Sequence, residues 1–308
     1  MNKNLQIAVI GAGLMGHGIA LTLARAGQYV AITDPMPEAR AALPQRVTES
    51  LRLMGEDDDR IVKILKKIEI FDNIQGAVQN AFAVFEAAPE KLTLKQAIFA
   101  EVEAHAPETA ILASNTSVMP ITQIMQGLRL KHRALGTHWW NPPHMIPLVE
   151  VIRTEWTDAA AMDQMVALLA DAGKTPVRVE KDVPGFIGNR LQHALWREAI
   201  SLVERGICDA ESVDTVVKSC FGRRLSVLGP LENADLVGTD LTLDIHNTVL
   251  ADLEDRGAPS PYLERLVAEG RLGMKSGQGF RDWTPEEAAK VRNRVTTHLR
   301  KLETILKD

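Results

Sequence analysis

The sequence predicts a two-part α/β fold: a domain built on a doubly wound sheet, followed by an all-helical C-terminal domain. Three observations predict it. Short β-like runs alternate with amphipathic helical stretches through the first part of the chain. A glycine-rich turn directly follows the first of those runs. Beyond Lys181-Asp182-Val183-Pro184-Gly185 no strand pattern recurs.

Residues 5–10, 29–33, 67–71, 83–86, 111–113, 134–138, 148–152 and 177–179 read as strands. They are short and rich in Val, Ile and Ala, as expected where both faces of a sheet are covered. Between several of them lie amphipathic helical segments such as residues 14–26 and 92–104, and that alternation specifies a doubly wound sheet. Past the boundary, residues 186–204, 210–218, 235–253 and 263–268 read as helices. A last helix opens at Thr284-Pro285-Glu286-Glu287, a capping box with proline at the first helical position. Val291, Val295, Leu299, Leu302 and Leu306 give it one apolar face, expected to pack on the protein or on a dimer mate. The predicted domains are residues 1–182 and 183–308.

The 308 residues are 45% hydrophobic and 24% charged, the composition of a soluble globular chain with a real core. A net charge of −5 without a basic stripe speaks against a nucleic-acid partner. No run approaches the roughly 18 to 20 apolar residues that cross a bilayer, so no membrane partner is expected. The first residues lead at once into a strand pattern, without the apolar core of a signal peptide. Cys208 and Cys220, the only cysteines, read as reduced thiols on helices of a cytoplasmic protein. The acidic run Glu56–Asp59 reads as a solvated loop.

Gly11-Ala12-Gly13-Leu14-Met15-Gly16 lies between the first strand and the first helix. The first glycine permits the tight turn, the second lets backbone approach a pyrophosphate, and the third lets helix pack on strand. Unpaired N–H groups at the helix start face the phosphates, and Gly27 caps the helix at its far end. This makes the sheet domain Rossmann-like and points to a dinucleotide held by Gly11, Gly13, Leu14, Met15 and Gly16. Asp34 ends the second strand, where a carboxylate accepts bonds from the ribose hydroxyls and repels a 2′-phosphate. No arginine follows it closely, so NAD is expected over NADP. His17, just after the turn, reads as an exposed histidine.

Four further segments carry chemistry: Ser114-Asn115-Thr116-Ser117, His138 with Trp139-Trp140-Asn141-Pro142-Pro143, Glu150 in Leu148-Val149-Glu150-Val151-Ile152, and Pro184-Gly185-Phe186-Ile187-Gly188-Asn189-Arg190. Oxidation of an alcohol needs a base for the hydroxyl proton, and histidine suits because it titrates near neutrality. A carboxylate on the far ring nitrogen fixes the tautomer and stabilises the imidazolium. Glu150 lies in an apolar strand, where an unpaired charge is costly and a partner is therefore expected.

In these segments, which occur together and in order, the chain resembles the L-3-hydroxyacyl-CoA dehydrogenase family over nearly its whole length. The resemblance implies that His138 is the general base, Glu150 its partner, and Ser117 and Asn189 hydrogen-bond donors to the substrate oxygens. Asn141 would support the histidine loop and border the substrate. Glu90 and Lys95 match the pair on the nicotinamide side of NAD, and Asn115 is grouped with the cofactor residues. A homodimer through the C-terminal domain is implied as well. The double proline and the extended stretch from Gly222 to Pro230 are more like the lambda-crystallin (gulonate 3-dehydrogenase) and pyridine-carboxylate dehydrogenase branch. There a basic residue at the position of Arg224 would clamp a free carboxylate. The helical stretch after the second strand, which holds the lysines that grip CoA in the acyl-CoA branch, reads as short and contains the acidic run, although Lys63, Lys66 and Lys67 remain as contacts. The reading is therefore an NAD-dependent oxidoreductase that interconverts a 3-hydroxy and a 3-oxo group on a small hydroxy carboxylate. Alternatives are a 3-hydroxyacyl-CoA dehydrogenase proper, such as one acting on 3-hydroxybutyryl-CoA, and a non-catalytic NAD-binding or structural protein. The lysine-dependent β-hydroxyacid dehydrogenases share the glycine turn, but this chain has Asn189-Arg190 where they carry their lysine motif.

Overall fold

The computed structural model describes residues 5–305. The chain divides into two compact units: one comprises the residues up to Arg190 and those from Leu299 onward, the other Leu191–His298.

The first unit alternates strands and helices. In chain order these are β1 (Gln6–Ile10), α1 (Leu14–Arg25), β2 (Tyr29–Thr33), α2 (Pro37–Leu53), α3 (Asp58–Leu65), β3 (Ile68–Phe71), α4 (Ile74–Val78), β4 (Ala83–Glu86), α5 (Leu92–His105), β5 (Ile111–Ser114), α6 (Ile121–Met125), β6 (Ala134–Trp139), β7 (Leu148–Arg153), α7 (Ala159–Asp171) and β8 (Thr175–Val179). The strands form one eight-stranded sheet in the order β3-β2-β1-β4-β5-β6-β7-β8. Every neighbouring pair is parallel except β6 and β7. The order reverses between β1 and β4, the place where such sheets open a crevice at the carboxyl ends of their strands.

Alternate side chains of the central strands enter opposite cores. Ile7, Val9, Phe85 and Ala113 pack with α1, α2, α3 and α7, as Leu21, Val47, Ile61 and Met165 show. Ala8, Ile10, Val84 and Leu112 pack on the other face with Val78 of α4, Phe99 of α5 and Ile124 of α6. The continuous apolar runs of the central strands are thus covered on both sides, while the edge strands β3 and β8 are largely exposed.

The helical stretch after β2 is not short. It spans α2 and α3, of 17 and 8 residues. The acidic run is not a free loop either. The Asp57 carboxylate accepts the Arg60 N–H at 2.7 Å, and Asp58 and Asp59 occupy the first turn of α3. Carboxylates there suit the positive end of the helix dipole.

The second unit is helical: α8 (Gly188–Glu204), which begins in the first unit, then α9 (Ala210–Ser219), α10 (Pro230–Val237), α11 (Thr239–Val249), α12 (Pro261–Ala268) and α13 (Pro285–Ile305). The single helix expected over residues 235–253 is broken. Gly238, at φ +110°, ends α10 and starts α11, because only glycine takes that backbone readily. Cys208 lies in the bend before α9 and Cys220 just past its end, so neither thiol sits on a helix as expected. The capping box of α13 is formed: Thr284 N–H donates to Glu287 at 2.8 Å and Glu287 N–H to the Thr284 hydroxyl at 3.2 Å. Along its apolar stripe Val295 is exposed and Leu299 and Leu302 half-buried; Leu306 lies outside the described residues. No described helix is long and apolar enough to cross a membrane.

Candidate active site

The glycine turn is built from close contacts. Gly11 has φ +106°, and a Cβ there would stand 2.8 Å from the Ala87 carbonyl oxygen. A Cβ on Gly16 would fall 1.8 Å from the Gly11 oxygen. At Gly13 a Cβ meets nothing within 4 Å, so that face of the turn is open to a ligand's phosphates. Leu14 and Met15 begin α1 beside it, with Leu14 exposed. The Asp34 carboxylate is fixed by two amides, Ala12 N–H at 2.7 Å and Met36 N–H at 2.9 Å. An open glycine face beside an immobilised carboxylate fits a dinucleotide whose ribose lies at Asp34. Two arginines also come close. Arg40 bonds the main-chain oxygen of Asp34 at 2.6 Å and pairs with Asp72, while Arg46 reaches the Ala12 oxygen at 3.1 Å. No arginine follows Asp34 directly in the chain; Arg40 and Arg46 reach the turn from α2.

His17 is buried, not exposed. Its Nδ1 lies 3.1 Å from the Gly13 oxygen and its Nε2 3.3 Å from the Ser50 hydroxyl. Burial first, and then the charge of Arg46, hold its pKa below the usual histidine value.

A charged network braces the ends of β4 and β5. Glu86 and Lys95 are both fully buried, with Nζ 2.7 Å from Oε1. Ser114 Oγ donates to the other Glu86 oxygen at 2.6 Å. Lys95 also donates to the Ala88 oxygen at 3.1 Å and pairs with Glu90 at 3.5 Å. Its ammonium is therefore spent on the protein. The resemblance placed Lys95 against the nicotinamide side, whereas here it faces Glu86 from inside the core. Glu90 is partly exposed; its carboxylate takes the Thr116 hydroxyl and the Ser117 N–H, the latter at 2.5 Å. Ser117 thus has its N–H fixed by Glu90 and its oxygen by Asn189 Nδ2 at 2.7 Å. Its hydroxyl has no partner among the described residues.

The antiparallel pairing of β6 and β7 sets His138 directly opposite Glu150. Nδ1 of His138 lies 2.7 Å from Oε2 of Glu150. Oε1 accepts the N–H groups of Ile187 and Gly188 at 2.8 and 3.0 Å. Burial works against the Glu150 charge, but the bonds from His138, Gly188 and Ile187 outweigh it and hold the carboxyl below the usual glutamate range. An ionised Glu150 keeps a proton on Nδ1 and leaves Nε2 as the acceptor. Nε2 has no partner among the described residues. Trp140 and Phe186 flank the imidazole, at 4.9 and 5.6 Å between ring centroids.

Asn115 Oδ1 accepts the Trp139 N–H at 2.9 Å, which fixes the end of β6 beside the histidine. Trp139 is core, edge-on to Phe85. Asn141 is exposed on the loop after β6. Arg224 belongs to the second unit, where its exposed guanidinium has no ion-pair partner among the described residues. The first unit thus gathers His138, Glu150, Ser117 and Asn189 around the carboxyl ends of β5 and β6 and the amino-terminal half of the antiparallel β7. Sequence reasoning assigned no role to Glu86, Phe186 or His144. An acid ending an apolar strand was the available signal for Glu86; burial of the other two depends on the fold.

Residues 6–183 match the model of the 3-hydroxyacyl-CoA dehydrogenase NAD binding domain, and residues 185–283 that of the 3-hydroxyacyl-CoA dehydrogenase C-terminal domain. The chain belongs to the 3-hydroxyacyl-CoA dehydrogenase family. It is an NAD-dependent oxidoreductase that acts on a hydroxyl group. It is 36% identical over 286 residues to 5-formyl-3-hydroxy-2-methylpyridine 4-carboxylate 5-dehydrogenase of Mesorhizobium japonicum, covering 91% of each chain. It is 38% identical over 283 residues to a probable 3-hydroxybutyryl-CoA dehydrogenase of Bacillus subtilis, covering 90% of this chain and 97% of that one. A crystal structure of the pyridine-carboxylate 5-dehydrogenase, described as an NAD+ dependent dismutase, superposes with a TM-score of 0.91 and 33% identity over 100% of this chain and 99% of that one.

Proposed function

We propose that the chain oxidises a small hydroxy carboxylate, or reduces the matching oxo acid, with His138 and Glu150 as the catalytic dyad. The observation that carries the reading is the 2.7 Å contact between His138 Nδ1 and an ionised Glu150, which leaves Nε2 free to take the hydroxyl proton. Bound NAD supplies the hydride acceptor. Glu150 stabilises the imidazolium as the proton arrives, because its charge is held in place by two amides. Ser117, with both main-chain groups fixed, presents its hydroxyl to the substrate oxygen, and Asn189 keeps the remaining capacity of its amide for the same purpose. Asn141 borders the substrate. On the cofactor side, Gly11, Gly13, Leu14, Met15 and Gly16 receive the pyrophosphate, Asp34 the ribose, and Glu90 the nicotinamide half. Asn115 serves that half by holding β6, and Lys95 by holding Glu90.

The free-acid reading rests on similarity to the pyridine-carboxylate enzyme, on the extended stretch before Pro230, and on Arg224, whose fork suits a carboxylate. Similarity to the Bacillus subtilis relative supports the second reading, a 3-hydroxyacyl-CoA dehydrogenase. NAD reduction measured with gulonate, carnitine, pyridine alcohols and 3-hydroxybutyryl-CoA separates them. A free acid is expected to win. Preference for the thioester over every free acid would overturn the reading. Arg224→Leu is expected to cost roughly tenfold to a hundredfold in kcat/KM on the free acid and almost nothing on its amide.

The substrate domain is read as beginning after residue 182 and as pairing two copies into a homodimer. Exposed Leu231, Leu236, Leu243 and Ile245 on α10 and α11 support that pairing. A cytoplasmic protein without nucleic-acid or membrane partners fits the net charge of −5 and the two unpaired thiols.

A further inference from the structure

The turn that leads into α8 holds its backbone in an unusual shape. Gly185 has φ +76°, and Phe186 follows at φ +52°. Phe186 is the only non-glycine residue with positive φ among the described residues. A bulky side chain stays in the left-handed region only when its surroundings impose it, and such residues gather at functional sites. Here the surroundings are the dyad. Phe186 N–H donates to the Val183 oxygen at 3.1 Å, closing the turn. The next two N–H groups, of Ile187 and Gly188, both meet Oε1 of Glu150. That leaves Oε2 to His138 alone.

The Phe186 ring is 1% exposed and stands 5.6 Å from the imidazole. Trp140 supplies the other flank, and it fits because residue 188 lacks a side chain: a Cβ there would lie 2.4 Å from the Trp140 ring. Phe186 packs against the imidazole on one side and joins the apolar cluster behind the sheet on the other.

We propose that Phe186 is a positioning residue for the base: its left-handed backbone aims two amides at Glu150, and its ring holds the imidazole in line and keeps water off the dyad. The inference rests on the reading of His138 as the base. A ring that merely filled the core would affect stability and leave the turnover of folded protein unchanged.

Two variants of the full chain test it. Phe186→Leu keeps bulk and the left-handed backbone but removes the aromatic face. Phe186→Gly frees the backbone and removes the ring. NADH affinity by fluorescence is expected within about twofold of the wild type for both, and substrate KM within about threefold. Turnover is expected to fall about tenfold for the leucine variant and about a hundredfold for the glycine variant, well below their melting temperatures. The low-field proton resonance of His138 Nδ1–H should move or broaden. Turnover within twofold of the wild type in folded Phe186→Leu, or an unchanged low-field resonance, overturns the inference. The leucine variant decides alone if the glycine variant does not fold. His138→Ala is measured alongside. If it keeps wild-type turnover, the base reading fails and takes this inference with it. If it is inactive while Phe186→Leu turns over normally, this inference alone fails.

Discussion

At the scale of single residues, the site separates fixed groups from free ones. Asp34 is fixed by two amides and can turn only its remaining acceptor capacity toward a ribose. A carboxylate so placed disfavours a 2′-phosphate, so kcat/KM with NAD is expected to exceed that with NADP by at least tenfold. Asp34→Ala should narrow that ratio by weakening NAD and relieving NADP. Equal wild-type efficiency with the two cofactors would contradict the assignment.

His144 illustrates a different residue-scale effect. Burial first, then the neighbouring charges of His17 and Lys174, push its pKa down to about 4. The folded chain therefore keeps His144 neutral at pH values where the unfolded chain has already protonated it. Stability is whole above the ordinary histidine value of 6.5 and is lost as pH falls toward 4. His17 is depressed too and adds in the same direction. The melting temperature is expected to fall between pH 7 and pH 5, and to fall less in His144→Asn. An equal fall in the variant would remove His144 as a cause.

At the scale of elements, two glycines of one turn give opposite predictions. Gly16→Ala puts a Cβ onto the Gly11 oxygen and should lower stability by about 2 kcal/mol through overpacking. Gly13→Ala has open space on the protein side, so its melting temperature should hold while NADH binding weakens at least tenfold. Calorimetry and fluorescence titration on the two variants check this; loss of stability in Gly13→Ala would show that the open face is filled by protein.

The central strands were legible because each is a short apolar run whose two faces meet different helices, and the glycine turn because its spacing is imposed by close contacts. The dyad was legible as two residue types in neighbouring strands, though their register is visible only once β6 and β7 pair. What could not be read depends on distant approach. The buried Lys95 has an ordinary helical sequence around it, and its core position follows from Glu86 at the end of β4. His144 is depressed because Gly18 of α1 lets it approach, with a Cβ there falling 3.1 Å from its ring nitrogen. The break at Gly238 was visible as a glycine, but apolar periodicity on both sides masked it.

At the scale of the whole molecule, Leu231 and Leu236 on α10 are 79% and 74% exposed, and the proposed homodimer would cover them. Light scattering is expected to give twice the chain mass at micromolar concentrations. Leu231→Glu with Leu236→Glu should shift it toward the monomer. A wild-type monomer across that range would contradict the pairing.

We propose that His138 and Glu150 act as one unit in turnover. The most direct measurement is turnover with the best substrate for His138→Ala, Glu150→Gln and the double variant, each shown by fluorescence to bind NADH. Each single variant is expected to lose at least a hundredfold, and the double variant little more than His138→Ala alone, because residues that act together are not additive. Turnover near the wild-type level in His138→Ala, or losses that multiply in the double variant, would contradict the account.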